Sequence, residues 1–146
     1  MRIVSGNILN VRRGIIVHQV NCRRVMGAGL ALQIRRKYPK HFEEYRRAEP
    51  RLGGSLFTEV APDLYVVGVY GQDGFGTGQR QTDYDMLRNG LMEVAALARG
   101  TSLPVYIPYQ IGCGLAGGDW EVVANIIESV LPEATVVRYE RSCGRV

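Results

Sequence analysis

The chain has 146 residues, an apolar fraction of 46% and a net charge of +4, which fits one globular domain over residues 1–146 with enough chain to bury a core. No apolar run reaches the length of a membrane span, and the N-terminal stretch Met1-Arg2-Ile3-Val4-Ser5-Gly6 lacks the apolar segment of a secretory signal. Three cysteines, Cys22, Cys113 and Cys143, show no CxxC spacing, which speaks against a disulfide framework or a zinc cluster and for a reducing cytoplasm with no membrane partner.

Strands are expected over 2–5, 14–20, 55–60, 64–70, 104–110 and 134–140, each short, rich in β-branched or aromatic residues and bounded by Gly, Pro or Asn. Pro62-Asp63 reads as a tight hairpin turn between the third and fourth. The spacing of Leu30, Ile34 and Tyr38 predicts a helix over 28–37, which Pro39 breaks before a further turn or two through 48. Thr82-Asp83-Tyr84-Asp85 resembles a capping box opening a helix to about 99, with Leu87, Leu91, Val94 and Ala98 on one face. Asp119 is a good N-cap for a helix over 120–131. Strands alternating with helices imply an α/β layered domain with a largely parallel or mixed sheet. Arg35, Arg36, Lys37, Lys40, Arg46, Arg47 and Arg51 crowd one segment, which reads as a solvated helix face or a phosphate-binding patch.

Two glycine-rich loops join a strand to a helix. The first, Met26-Gly27-Ala28-Gly29, follows strand 14–20; the second, Ile111-Gly112-Cys113-Gly114-Leu115-Ala116-Gly117-Gly118, follows strand 104–110. Ligands of open α/β sheets sit beyond the carboxyl ends of the strands. There a helix N-terminus offers free N–H groups, and glycine admits an anion close to the backbone. Two such loops facing each other can hold a diphosphate. A third glycine-rich stretch, 71–80, sits on the same side and reads as a mobile lid or a surface connection. No GxxxxGK[ST] is present, and the match of Gly112, Gly114 and Gly117 to GxGxxG has too few βα units after it for a dinucleotide fold. With two histidines and no ligand-spaced cluster, no metal site is expected.

The segments "SGNIL" (5–9), "IVHQVNCRRVMGAGLALQI" (16–34), "TDYDMLRNGL" (82–91), "VYIPYQIGCGLAGGDWEVV" (105–123) and "VVRYE" (136–140) together resemble a macrodomain. The resemblance is strongest to the branch of terminal ADP-ribose protein glycohydrolase and ADP-ribose 1''-phosphate phosphatase. It implies a three-layer α/β/α sandwich with a mixed sheet of about six strands, binding ADP-ribose in a surface cleft without a cofactor. It further implies that Val20, Asn21, Met26, Gly27, Ala28, Gly29, Leu30 and Ala31 contact phosphates and the distal ribose. Gln110, Ile111, Gly112, Cys113, Gly114 and Leu115 close over the diphosphate. Gly6, Asn7, Ile8 and Tyr139 lie by the adenine, and Asn7 stands where an Asp is usual. Gln72 contacts ribose or phosphate.

Two departures bear on chemistry. The glycohydrolase branch carries an Asp directly after the "GCGL" segment and a Lys soon after the strand over 64–70. This chain has Ala116 and Gln72 at those places. The nearest carboxylate is Asp119, so His18, Asn21 and Asp119 are the expected catalytic group, positioning or activating water for hydrolysis at the distal ribose, of ADP-ribose 1''-phosphate or of an ADP-ribosylated protein or nucleic acid. As structural alternatives, Asp119 is an N-cap and His18 a satisfied core histidine. A monomer is expected. Two other functions stay open: a reader that binds ADP-ribose without turnover, and a nucleic-acid-binding protein using the basic segment.

Overall fold

The run Gly14–Val20 is apolar save for two adjacent polar residues, His18 and Gln19, and forms a strand with its residues buried on both faces except half-buried Gln19. A strand of this composition belongs inside a parallel sheet covered by helices on both sides, and the computed structural model, which describes residues 1–141, places it there. The elements are β1 (Arg2–Gly6), a 3-10 turn (Ile8–Asn10), β2 (Gly14–Val20), α1 (Gly29–Lys37), α2 (Pro39–Arg47), β3 (Ser55–Ala61), β4 (Leu64–Tyr70), α3 (Tyr84–Thr101), β5 (Val105–Pro108), α4 (Trp120–Val130) and β6 (Thr135–Tyr139).

The six strands run in the order β1-β6-β5-β2-β4-β3. All neighbours are parallel except the β3–β4 hairpin, whose turn is eased by Asp63 at φ +58°. Alternation along β2 divides the core. Ile15 and Val17 face Leu87, Leu91 and Val94 of α3 and Val123, Ile126 and Ile127 of α4. Ile16 faces Ile34 of α1 together with Ile8, Leu9 and Val11. Val20 and Tyr70 pack on Met26 and on Tyr45 of α2. The result is the α/β/α sandwich with a mixed six-stranded sheet.

Local differences from the sequence reading have local causes. Strand β5 ends at Pro108 rather than at 110, because Ile111 N–H turns back to Pro108 C=O and Gln110 sits at φ +64°. The cap of α3 is Asp83 rather than Thr82: its carboxylate accepts from the amides of Asp85 and Met86. Thr82 is thereby released for another task. In the basic segment, Arg46 and Arg47 pair with Glu43 and Arg51 with Glu93. Arg35 stacks on Phe42, while Lys37 and Lys40 donate to the carbonyls of Leu9 and Glu59. Those cations are held against the protein's own groups.

Candidate functional site

The five parallel strands point their carboxyl ends the same way, so the connections β2–α1, β4–α3 and β5–α4 emerge on one edge of the sheet. Between them lies a cleft of about 660 Å³. One wall is the start of α1. Its N-cap residue, Ala28, has no side chain that can accept a hydrogen bond from the first turn, whereas α3 and α4 are capped by Asp83 and Asp119. The opening amides of α1 therefore have no capping partner among the described residues, at the positive end of the helix dipole. Gly29 takes φ +57°, and a Cβ there would meet nothing within 4 Å: the position is open space at the cleft it lines, in a backbone conformation that a side chain would strain.

The facing wall is the loop after β5. It is folded by Cys113 N–H to Gln110 C=O, Gly117 N–H to Gly114 C=O and Gly118 N–H to Gly112 C=O. The amides of Gly112, Gly114 and Leu115 donate to no acceptor among the described residues. Two sets of backbone donors without a partner among the described residues thus border one cavity, whose lining side chains include no Asp, Glu, Lys or Arg.

Gln19 ties the walls together. Its Nε2 donates to Gln72 Oε1 at 2.7 Å and to Thr82 Oγ1 at 2.9 Å. Thr82 in turn donates to Gly112 C=O at 2.6 Å. Gly112 has φ +73°, and a Cβ on it would lie 2.9 Å from Gln19 Oε1, so this contact needs glycine. Gln72 is spent on structure as well: its Nε2 donates to Gly74 C=O. Asn21 is similarly engaged. Its Nδ2 donates to Val25 C=O, and its Oδ1 accepts from Arg23 N–H and from the Tyr45 hydroxyl. It holds the 21–25 turn in place below the α1 start.

Of the residues expected at the ligand, Val20, Asn21, Gly27, Ala28, Gly29, Leu30, Ala31, Gln72, Gln110, Ile111, Gly112, Gly114 and Leu115 line the cleft. Met26 does not: it is 1% exposed and packs on Val20, Tyr45 and Tyr70, because the turn held by Asn21 directs this side chain inward. Cys113 lies behind its loop against the α3–α4 core. Burial, aided by Asp119, raises its thiol to about 11, which leaves it protonated and unfit as a nucleophile. Ile8 is a core residue and Asn7 Oδ1 caps the 3-10 turn by accepting from Leu9 N–H. Gly6 pairs in register with Tyr139 at the carboxyl ends of β1 and β6, outside the cleft lining, and Tyr139 is 66% exposed.

Of the expected catalytic group, His18 and Asn21 line the cleft and Asp119 does not. Asp119 lies outside the cleft lining, its Oδ1 accepting from Glu121 N–H as a helix cap. His18 forms part of the cleft floor but is only 2% exposed, with Nε2 bonded to His41 Nε2 at 2.9 Å. Burial, with His41 beside it, drives its pKa well below the usual imidazole value. Sequence reasoning missed Gln19, Thr82, His41, Tyr45 and Tyr109, while Phe75 comes from the 71–80 stretch read as a mobile lid or a surface connection. The available signal was the pair of adjacent polar residues, His18 and Gln19, closing a buried apolar strand. On a strand they must face opposite layers, so each needs its own buried partner.

The DNA ADP-ribosyl glycohydrolase of Mycobacterium tuberculosis is 30% identical over 152 residues, covering 96% of this chain; the chain spans 42% of that relative's length. A protein of unknown function from Bacteroides thetaiotaomicron superposes with a TM-score of 0.85 at 31% identity, covering 95% of this chain and 97% of that one. The macrodomain of Mycobacterium tuberculosis DarG superposes with a TM-score of 0.77 at 25% identity, covering 97% of each. The model of the Macro domain family matches residues 17–127, from the floor of the cleft through both glycine loops into α4; this chain belongs to that family.

Proposed function

We propose that the cleft binds ADP-ribose, its diphosphate held between the opening amides of α1 and the amides of Gly112, Gly114 and Leu115. The observation that carries the reading is the uncapped N-terminus of α1 and a second row of backbone donors without a partner among the described residues, both bordering one cavity. Backbone donors at a helix start bind anions without a lysine or arginine, which suits a cleft lined by no charged side chain. Calorimetry with ADP-ribose tests it. Wild type should bind, and Gly29→Glu, which adds a carboxylate at a position lining the cleft, should abolish binding. Equal affinity in the two proteins would sink the assignment.

A second reading, turnover, is favoured by the 30% identity to a DNA ADP-ribosyl glycohydrolase over 96% of this chain. The substrate would be an ADP-ribosylated nucleic acid or protein, or ADP-ribose 1''-phosphate. Chemistry here would run without the lysine and the carboxylate that the glycohydrolase branch implies at Gln72 and Ala116. The cleft then supplies orientation and backbone stabilisation, with water as the attacking group. Release of phosphate from ADP-ribose 1''-phosphate, or of ADP-ribose from a modified oligonucleotide, distinguishes the two enzymatic forms. Release of neither, with ADP-ribose bound, leaves the reader.

A further inference from the structure

We infer that His41 is a positioning residue: through Thr58 and Glu44 it fixes the tautomer of His18, so that the cleft floor presents a bare ring nitrogen that accepts a hydrogen bond from a ligand hydroxyl. The chain of bonds sets the proton positions. Glu44 Oε1, a carboxylate oxygen, only accepts, so Thr58 Oγ1 donates to it at 3.1 Å. That uses the one hydroxyl proton, and Thr58 Oγ1 must accept from His41 Nδ1, 2.9 Å away. His41 is fully buried, and burial lowers its pKa to about 4, so it is neutral at pH 7. With its proton on Nδ1, its Nε2 is bare and accepts from His18 Nε2–H at 2.9 Å. His18, neutral for the same reason, is left with a bare Nδ1. That atom is buried and has no partner among the described residues.

An unsatisfied buried acceptor is costly in a folded protein and marks a place where something else completes the bond. His18 is one of the residues lining the cleft, and its Nδ1 is covered in the unliganded protein, so a ligand that completes this bond has to displace the groups now over it. A bare imidazole nitrogen takes a hydroxyl and repels a phosphate oxygen. The group over His18 is therefore a hydrogen-bond donor, for which we take a ribose hydroxyl. This inference rests on the reading that the cleft takes ADP-ribose, and it names which part of that ligand can meet His18.

The test uses Thr58→Val and Thr58→Ser in the full chain. Imidazole nitrogen shifts of the ligand-free, 15N-labelled protein report the tautomers, and calorimetry reports ADP-ribose affinity. Wild type should show His41 protonated on Nδ1 and His18 on Nε2. In Thr58→Val the acceptor for His41 Nδ1 is lost, so both tautomers should reverse and His18 should point a proton at the cleft. Affinity should then fall roughly tenfold, the scale of one hydrogen bond at a buried group. Thr58→Ser, which keeps the hydroxyl and loses the methyl, should behave as wild type. A role in packing alone predicts the opposite order, because valine keeps the volume. Reversed tautomers with unchanged affinity would overturn the inference, and so would His18 protonated on Nδ1 in the wild type, which needs no variant. Wild type that fails to bind ADP-ribose would overturn the binding reading and the hydroxyl assignment with it, while the tautomers still decide the role of His41.

Discussion

Acidification should destabilise this protein through its two histidines before its carboxylates take part. His18 and His41 are the only histidines in the sequence, and both are fully buried and bonded to each other. In the folded state burial holds both pKa values below the ordinary 6.5, His41 at about 4. The unfolded chain therefore binds protons that the folded chain refuses. Between the two pKa values stability falls as pH falls, and the loss levels off only when the folded histidines themselves titrate. Each neutral histidine costs up to about 1.4 kcal/mol per pH unit in that window. Integrated from pH 7.5 to pH 5, this is about 2 kcal/mol for His41, and His18 adds a loss of the same sign, together a sizeable share of the stability of an ordinary domain. The window is clean. Glu43 and Glu93 have carboxyls lowered below 4.5 by Arg46 and Arg51, so their contributions are lost at lower pH. Urea unfolding at pH 7.5, 6.5, 5.5 and 5.0 measures the slope, and His41→Gln should halve it. A loss below about 1 kcal/mol across the window would mean that the histidines titrate normally and that the buried pair is wrongly described.

Two further substitutions separate structure from chemistry. Asp119→Ala removes the cap of α4, whose Oδ1 accepts from Glu121 N–H at 2.9 Å, and should cost about 1 kcal/mol of stability by urea unfolding with ADP-ribose affinity unchanged. Unchanged stability with lost turnover would instead return Asp119 to the catalytic group. Tyr45→Phe deletes a buried hydroxyl whose one proton is shared between two acceptors, Asn21 C=O at 2.7 Å and Asn21 Oδ1 at 2.8 Å. It should cost about 1–2 kcal/mol, speed amide exchange over residues 21–26, and weaken ADP-ribose binding measured by calorimetry. Wild-type exchange in that turn would show that Asn21 needs no support from α2.

What sequence reading resolves here depends on the range of the interaction. The apolar run of β2, the hairpin at Pro62-Asp63 and the cap at Asp119 are local, since each is decided by residues within a turn or two and leaves its signature in neighbouring positions. The two glycine loops are legible for the same reason. Thr82 is instructive in the other direction. As a local signal it looks like a helix cap, but Asp83 takes that place and Thr82 bonds to Gly112, thirty positions away in the chain. Asp119 carries two readings in sequence, a carboxylate near a glycine loop and a helix cap, and the packed structure shows the cap bond.

By itself the sequence determined the strands, the helices, their order and the two loops that must lie at the carboxyl edge of the sheet, because hydrophobic periodicity, prolines, glycines and caps act over a few residues. The tertiary structure decided which side chains meet: Gln19 with Gln72 and Thr82, His18 with His41, and Tyr45 with Asn21. It also decided that Met26 turns inward while Gly29 opens outward. These pairings join residues from different elements, and a buried polar atom takes whichever partner the packed layers bring within hydrogen-bonding distance.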